Sequence, residues 1–137
     1  MRHFYIYTCA RLVPRVVQRY QPQTAPPDAP GERGSAVILQ GEDKKQGEED
    51  MKKWFMNVKA SDMISLDRTL PDVRRKECLD IKYDLQNLPK ASVIIIFTDE
   101  AWTPLMRTVH SVVNRSPPEL LQEVILLDDN SQRGELQ

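Results

Sequence analysis

The chain has 137 residues, of which 40% are hydrophobic and 28% charged, and its formal net charge is −1. This length suits one modest domain, which buries roughly two-thirds of its unfolded surface. The near-neutral charge gives no general attraction to nucleic acid or anionic lipid. No apolar run reaches the ~20 residues of a membrane-spanning helix. We therefore predict a single core, with no nucleic-acid partner and no transmembrane segment in this chain.

Composition divides the chain into four parts. Residues 1–34 hold five of the ten prolines and end in Gly-Glu-Arg-Gly, which predicts a poorly ordered, proline-rich arm. Residues 35–53 include "GEDKKQGEEDMKK" and are interpreted as a charged linker that turns into a surface helix. Residues 54–91 have no sustained hydrophobic period, which predicts an irregular wrapping segment with little regular structure. Residues 92–137 have the pattern of an α/β domain.

The α/β pattern consists of two apolar runs around one amphipathic stretch. The run "SVIIIF" over residues 92–97 is typical of a parallel strand buried on both faces. Apolar residues then recur at helical spacing, with Pro104 in the first turn and a Ser-Pro-Pro ending at residues 116–118. The apolar positions are Trp102, Leu105, Met106, Val109, Val112 and Val113. A second run, "EVILLDD", completes a predicted right-handed βαβ unit with parallel strands.

Both predicted strands end in acidic residues, at Thr98-Asp99-Glu100 and at Asp128-Asp129. The carboxyl ends of parallel strands share one edge, where open α/β proteins bind ligands. Such acids can accept hydrogen bonds from a sugar or a base, or hold a cation. Asp99 or Glu100 could equally favour the N-terminus of the following helix, with the other acids solvated. The residues alone leave ligand contact and capping equally open.

Other reactive residue types give weaker signals. His110 falls on the polar side of the predicted helix, so we interpret it as a surface or packing residue. Asn114 begins a glycosylation sequon, but the Pro117 that follows it disfavours use. Cys9 and Cys78 form no CxxC motif and leave the redox compartment open.

Two longer segments carry a family resemblance. They read "ASDMISLDRTLPDVRRKEC" and "NLPKASVIIIFTDEAWTPLMRTVHSVVNRSPPELLQEVILLDDNS". Over roughly its last hundred residues the chain resembles the polypeptide N-acetylgalactosaminyltransferases, Golgi enzymes that begin mucin-type O-glycosylation. The resemblance implies an incomplete GT-A domain, which is Rossmann-like and similar to glycosyltransferase family 2. It also implies a retaining transfer of GalNAc from UDP-GalNAc to Ser or Thr of an acceptor polypeptide, with Mn²⁺ as the family's cofactor.

The same resemblance assigns roles to the acidic edge. It implies that the backbone at Ile96 and Phe97 lies against the uridine, and that Asp129 contacts the UDP portion. Thr98, Asp99 and Glu100 lie at the same edge. Many members have Phe-His-Asn-Glu where this chain has Phe-Thr-Asp-Glu, so the side chains at positions 98 and 99 depart from the family pattern.

Cys78 resembles a family cysteine that pairs with another far downstream in the catalytic domain. That pairing implies residence in the oxidising lumen of the secretory pathway.

The family's Asp-x-His metal motif, lectin domain and membrane anchor have no counterpart in this sequence. We therefore expect an N-terminal portion of such an enzyme, from a truncated isoform or an incomplete gene model. It is expected to bind no Mn²⁺, to hold no catalytic residue and to be inactive alone. The alternative is a non-catalytic product that binds full-length transferases through an exposed sheet edge or the apolar helix face at Val109 and Val113.

Overall fold

A computed structural model describes residues 23 and 25–132, together with the backbone of Phe4–Thr8. The elements, in chain order, are β1 (Phe4–Thr8), a 3₁₀ turn (Glu32–Gly34), α1 (Gly41–Trp54), α2 (Val58–Asp62), α3 (Lys76–Leu79), β2 (Ala91–Phe97), α4 (Trp102–Arg115) and β3 (Leu121–Asp128). The strands lie in the order β1-β3-β2, and β3 pairs in parallel with both neighbours. The fold class is α/β, as the sequence predicts.

The predicted βαβ unit is present and supplies the core. Helix α4 ends at Arg115, with Ser116 as its C-cap, and its apolar face packs on β2 and β3. The core combines Leu105, Val109 and Val113 from α4 with Phe97, Val124 and Leu126 from the strands. Because Val109, Val113 and Val124 are each 1% exposed, the helix face that packs on the sheet is the most deeply buried surface of the described chain.

Only one face of β2 is covered by α4. Ile94 and Ile96 are 58% and 65% exposed, opposite Ile125 and Leu127 in the strand register. Successive side chains of a strand point to opposite faces, so a single helix cannot cover both. The prediction of burial on both faces is therefore wrong for β2 among the described residues.

The predicted N-terminal arm contains two short elements of regular structure, at Phe4–Thr8 and Glu32–Gly34. Strand β1 has the sequence Phe-Tyr-Ile-Tyr-Thr, whose aromatic and β-branched residues suit a strand, and it pairs along β3 from Val124 to Asp128. A poorly ordered arm was predicted here because residues 1–34 are rich in proline, although Phe4–Thr8 has a composition typical of a strand. The division of the chain into arm, linker, wrapping segment and domain stays a prediction.

A turn further along the same part is fixed to the segment that follows α2. Gly31 has a φ of 75°, and a Cβ at this position would lie 2.7 Å from Cγ1 of Ile64. Glu32 Oε2 accepts hydrogen bonds from the hydroxyl and the backbone N–H of Thr69, at 2.6 and 3.0 Å. These two bonds hold the pKa of Glu32 below its usual value, and the bond from the Thr69 hydroxyl has the larger effect.

The predicted surface helix forms as α1, and two short helices interrupt the segment that was expected to be irregular. Asn57 caps α2 by accepting a hydrogen bond from the Ala60 N–H at 2.8 Å. Asp50 of α1 accepts another from the Lys59 N–H at 2.7 Å, which joins the two helices. Within the described residues, no helix has both the length and the apolar character needed to cross a membrane.

Candidate functional site at the ends of the parallel strands

The carboxyl ends of β2 and β3 lie side by side and are linked beyond the last strand residues. The Asp129 N–H donates to the carbonyl of Phe97 at 2.8 Å, which extends the ladder by one bond. The Thr98 hydroxyl donates to the carbonyl of Asp129 at 3.1 Å. We call residues 96–100 and 128–132 the rim. The predicted convergence of the two acidic strand ends on one edge is therefore present.

A second pair of bonds ties the two halves of the rim together. The Asp99 N–H donates to Ser131 Oγ at 2.9 Å, and the Gln132 N–H donates to Asp99 Oδ1 at 2.8 Å. Asp99 has a φ of 48°, in the left-handed region that Asp and Asn tolerate better than most residues. Asp99 therefore acts in shaping the rim, a role that the sequence analysis did not assign to it.

The two adjacent acids of β3 have opposite environments. Asp128 is 4% exposed, and its Oδ1 accepts a hydrogen bond from the Ser131 N–H at 2.9 Å. Asp129 is exposed, and no described residue donates a hydrogen bond to its carboxylate. Asp128 thus stabilises the conformation of residues 128–131, whereas the carboxylate of Asp129 is available to a ligand.

Ile96 and Phe97 present different groups at the rim. The Phe97 side chain belongs to the core, and its carbonyl is occupied by the Asp129 N–H. Successive residues of a strand direct their backbone groups to opposite sides, so those of Ile96 face away from β3. Strand β2 is at the edge of the described sheet, and unpaired groups on an edge can bond to a ligand or another chain. Of the two residues whose backbone is predicted to contact uridine, Ile96 is the one whose N–H and C=O face away from the neighbouring strand of the described sheet.

Neither acid proposed as a helix cap acts as one. The N-cap of α4 is Ala101, and no side chain hydrogen-bonds at this cap. Glu100 instead accepts a hydrogen bond from the Ala101 N–H at 3.0 Å. Asp99 and Glu100 are therefore not side-chain caps of α4, while the carboxylate of Glu100 lies next to the helix N-terminus, where negative charge is favourable.

The rim does not fit a divalent cation. Within the described part of the chain, no three His, Cys, Asp or Glu side chains are grouped so that they could hold a metal ion. Three of the rim carboxylates accept backbone hydrogen bonds, at Asp99, Glu100 and Asp128. The described rim residues therefore supply no ligand set for Mn²⁺.

A polar network that the sequence does not signal joins α4 to residues 61–67. Arg107 donates to the carbonyls of Ser61 and Ile64, at 2.7 and 3.1 Å, and burial lowers its pKa. His110 is 9% exposed, and its Nδ1 lies 3.0 Å from Asp67 Oδ1. His110 is therefore a packing residue, which is one of the two roles predicted for it. No periodicity signals contacts between residues more than 40 positions apart.

Two further sequence features have a defined place. Cys78 is exposed with a free thiol, so its predicted pairing stays a prediction, while Cys9 lies outside the described residues. Asn114 is exposed on α4, and its Nδ2 donates to Asp67 Oδ1 at 2.9 Å. The amide of the sequon is thus held in a helix and hydrogen-bonded, which makes it a poor acceptor for glycosylation.

Comparison with known proteins supplies the family. The chain is 73% identical over 114 residues to a probable N-acetylgalactosaminyltransferase 9 of Caenorhabditis elegans, an alignment that covers 83% of this chain and 20% of the relative. It is 50% identical over 113 residues to the mouse polypeptide N-acetylgalactosaminyltransferase 12, covering 81% of this chain and 20% of the relative.

The chain belongs to the polypeptide N-acetylgalactosaminyltransferase family. The human polypeptide N-acetylgalactosaminyltransferase 13 is 49% identical over 106 residues, covering 77% of this chain and 19% of the relative. No protein-family model matches the chain. The chain spans about a fifth of the length of these N-acetylgalactosaminyltransferases, and the family resemblance stated from the sequence is confirmed.

Proposed function

We propose that this chain is the uridine-facing portion of a glycosyltransferase that transfers GalNAc from UDP-GalNAc to Ser or Thr of polypeptides, in a GT-A domain. The observation that carries the proposal is Asp129, whose exposed carboxylate accepts no hydrogen bond from the described residues. It stands at the carboxyl edge of a parallel sheet, the usual ligand side of open α/β folds. The names of the relatives support the GalNAc transfer.

The charges of the rim indicate which part of the nucleotide it would meet. A carboxylate repels a diphosphate but accepts hydrogen bonds from a ribose hydroxyl or from the N3–H of uracil. Asp129 therefore suits the uridine, with the backbone of Ile96 able to bond to the edge of the base. The Phe97 side chain packs in the core and so fixes the position of the end of β2, where Ile96 lies.

We propose no transferase activity for this chain alone. Departure of UDP builds negative charge on the diphosphate, and electrostatic stabilisation of such charge is usually the largest catalytic contribution. The family enzymes would use Mn²⁺ for this purpose. The rim offers no lysine or arginine, and three of its carboxylates are engaged by backbone N–H groups.

Replacing Asp129 by Asn tests the proposal. We expect the Kd of the chain for UDP to rise about tenfold, because hydrogen bonds to charged groups are worth about 1.5–3 kcal/mol. Isothermal titration with and without Mn²⁺ measures this, and we expect the same affinity in both buffers. Glu119→Gln makes the same kind of change at an exposed acid outside the rim and is expected to leave the Kd unchanged. Equal affinity of Asp129→Asn and the unsubstituted chain, or binding that requires Mn²⁺, contradicts the proposal.

For localisation, we propose the Golgi lumen or membrane, by the family relationship. An oxidising lumen would suit the exposed Cys78 thiol, which is accessible for a disulfide with a cysteine elsewhere in a longer protein. Alkylation of Cys78 in secreted and cytosolic preparations distinguishes the compartments: the thiol should resist alkylation only in the secreted protein.

The second candidate function is that of a non-catalytic partner of full-length transferases. The exposed Ile94 and Ile96 on edge strand β2 favour it, since an apolar edge strand is a template for pairing. The helix face at Val109 and Val113 is buried under the sheet and is not an available surface, contrary to the sequence-based alternative. Co-purification with a full-length homologue should be abolished by combining Ile94→Asp with Ile96→Asp, and capture that survives both changes rejects this function.

A further inference from the structure

A cleft of about 550 Å³ lies between residues 66–70 and the outer face of α4. No rim residue lines it, so any ligand it binds is independent of the proposed donor site. Arg68 lines one side of the cleft, while Arg107 and Arg115 line the helix side. Asp67 is the single acid among its lining residues, so the walls carry a surplus of positive charge.

The three arginines differ in what they can still bind. Arg107 donates to the hydroxyl of Ser61 at 3.1 Å and to three backbone carbonyls, so its guanidinium is committed to the fold. Arg68 and Arg115 form no ion pair with any residue described in the structure. These two guanidinium groups can therefore bind a carboxylate, because their planar arrangement of N–H donors matches its two oxygens.

The acids near these arginines are already engaged. Asp67 Oδ1 bonds to Asn114 and lies 3.0 Å from His110 Nδ1, while its Oδ2 accepts the backbone N–H of Gln23 at 2.9 Å. Glu32, close to Arg68, accepts two bonds from Thr69.

Beyond the cleft wall, Asp72 lies near Arg115 but is paired with Arg74 at 2.6 Å. Bonding to Arg74 lowers the pKa of Asp72 to about 2, so Asp72 stays ionised at neutral pH and reduces the potential at Arg115 without pairing with it.

The helix wall also supplies hydrogen-bond acceptors. The Thr108 hydroxyl donates to the Pro104 carbonyl at 2.9 Å, and the Ser111 hydroxyl donates to the Thr108 carbonyl at 2.8 Å. Each hydroxyl oxygen keeps its acceptor capacity. A ligand that matches this wall must donate hydrogen bonds as well as carry negative charge. A polypeptide with acidic side chains does both, because its backbone N–H groups alternate along the chain with its carboxylates.

We propose that this cleft binds an acidic peptide segment, with its carboxylates between Arg68 and Arg115 and its backbone N–H groups on the hydroxyls of Thr108 and Ser111. Electrostatic attraction makes the affinity fall as salt increases.

Fluorescence anisotropy with the complete chain and a labelled (Glu-Gly)₅ peptide tests the proposal. Combining Arg68→Glu with Arg115→Glu should raise the Kd about tenfold or more, because charge reversal replaces attraction by repulsion. Arg75→Glu reverses one charge at an exposed arginine outside the cleft and should alter the Kd less than about twofold. Circular dichroism of each variant establishes that the fold is retained. Ser111→Ala, which removes one acceptor without changing charge, should raise the Kd about threefold.

Three outcomes overturn the proposal. The first is equal weakening by Arg75→Glu, which means that the peptide follows net charge alone. The second is equal binding of a (Gln-Gly)₅ peptide, which removes the role of the carboxylates. The third is full displacement by millimolar inorganic phosphate combined with no effect of Ser111→Ala, which makes the cleft a simple anion site. None of these measurements depends on UDP, so the result is separable from the fate of the proposed donor site.

Discussion

The chain with Val109 replaced by Asp is expected to unfold at a much lower urea concentration than the unsubstituted chain. Val109 is 1% exposed at the centre of the contact between α4 and the sheet. A carboxylate there is buried without a described cation to pair with it, which costs at least about 4 kcal/mol. This is a large part of the 5–15 kcal/mol that stabilises typical domains. Urea titration followed by far-ultraviolet circular dichroism measures the change.

Ile96→Asp is the matched control, because it introduces the same charge at an apolar residue that is 65% exposed. Its free energy of unfolding should fall by less than about 1 kcal/mol. If Ile96→Asp were as damaging as Val109→Asp, the uncovered face of β2 would be buried in solution. If Val109→Asp unfolded at the original urea midpoint, α4 would not pack on the sheet as described.

Replacing Arg107 by Met is expected to lower the free energy of unfolding by about 2 kcal/mol. The substitution keeps much of the apolar stem but removes the bonds to Ser61 and Ile64 at the end of α2. Bonds from a charged donor are worth about 1.5–3 kcal/mol, and a cation at a helix C-terminus is favourable. Thermal and urea unfolding both report this loss.

A local readout separates this effect from general destabilisation. Amide hydrogen exchange in α2 should accelerate more than exchange in β3, because Arg107 joins α2 to α4. Arg75→Met, at an exposed arginine, should change the free energy of unfolding by less than about 0.5 kcal/mol. Uniform acceleration across α2 and β3 would show that Arg107 does not specifically hold α2.

The βαβ unit could be predicted from sequence because its signals are local. The run ending at Phe97 and the helical spacing around Val109 are explained by burial against a neighbour in the same unit. Strand β1 was missed because five suitable residues are a weak signal within a proline-rich segment. Burial of both faces of β2 was predicted wrongly because an apolar run does not reveal how many layers cover it.

The rim was predictable in position but not in detail. Parallel strands bring their carboxyl ends together, so Asp129 and Thr98 were correctly placed on one edge. Asp128 owes its role to a local hydrogen bond from the Ser131 N–H, whereas Asp99 depends on long-range bonds to Ser131 and Gln132. The bonds of Asp99 join residues 32 and 33 positions apart, and the left-handed backbone of Asp99 is not signalled by sequence spacing. Arg107 was missed for the same reason, since its partners lie 42–46 residues earlier.

Photolabelling with 5-azido-UDP most directly tests the claim that the rim is a uridine site. The azide is on the uracil ring, so mass spectrometry of the digested chain locates the base itself. We expect the label on residues 96–100 or 128–132, with labelling suppressed by excess UDP and reduced in Asp129→Asn. Label concentrated on residues 66–70 or 104–115, or unaffected by excess UDP, would contradict the assignment of the rim to the nucleotide.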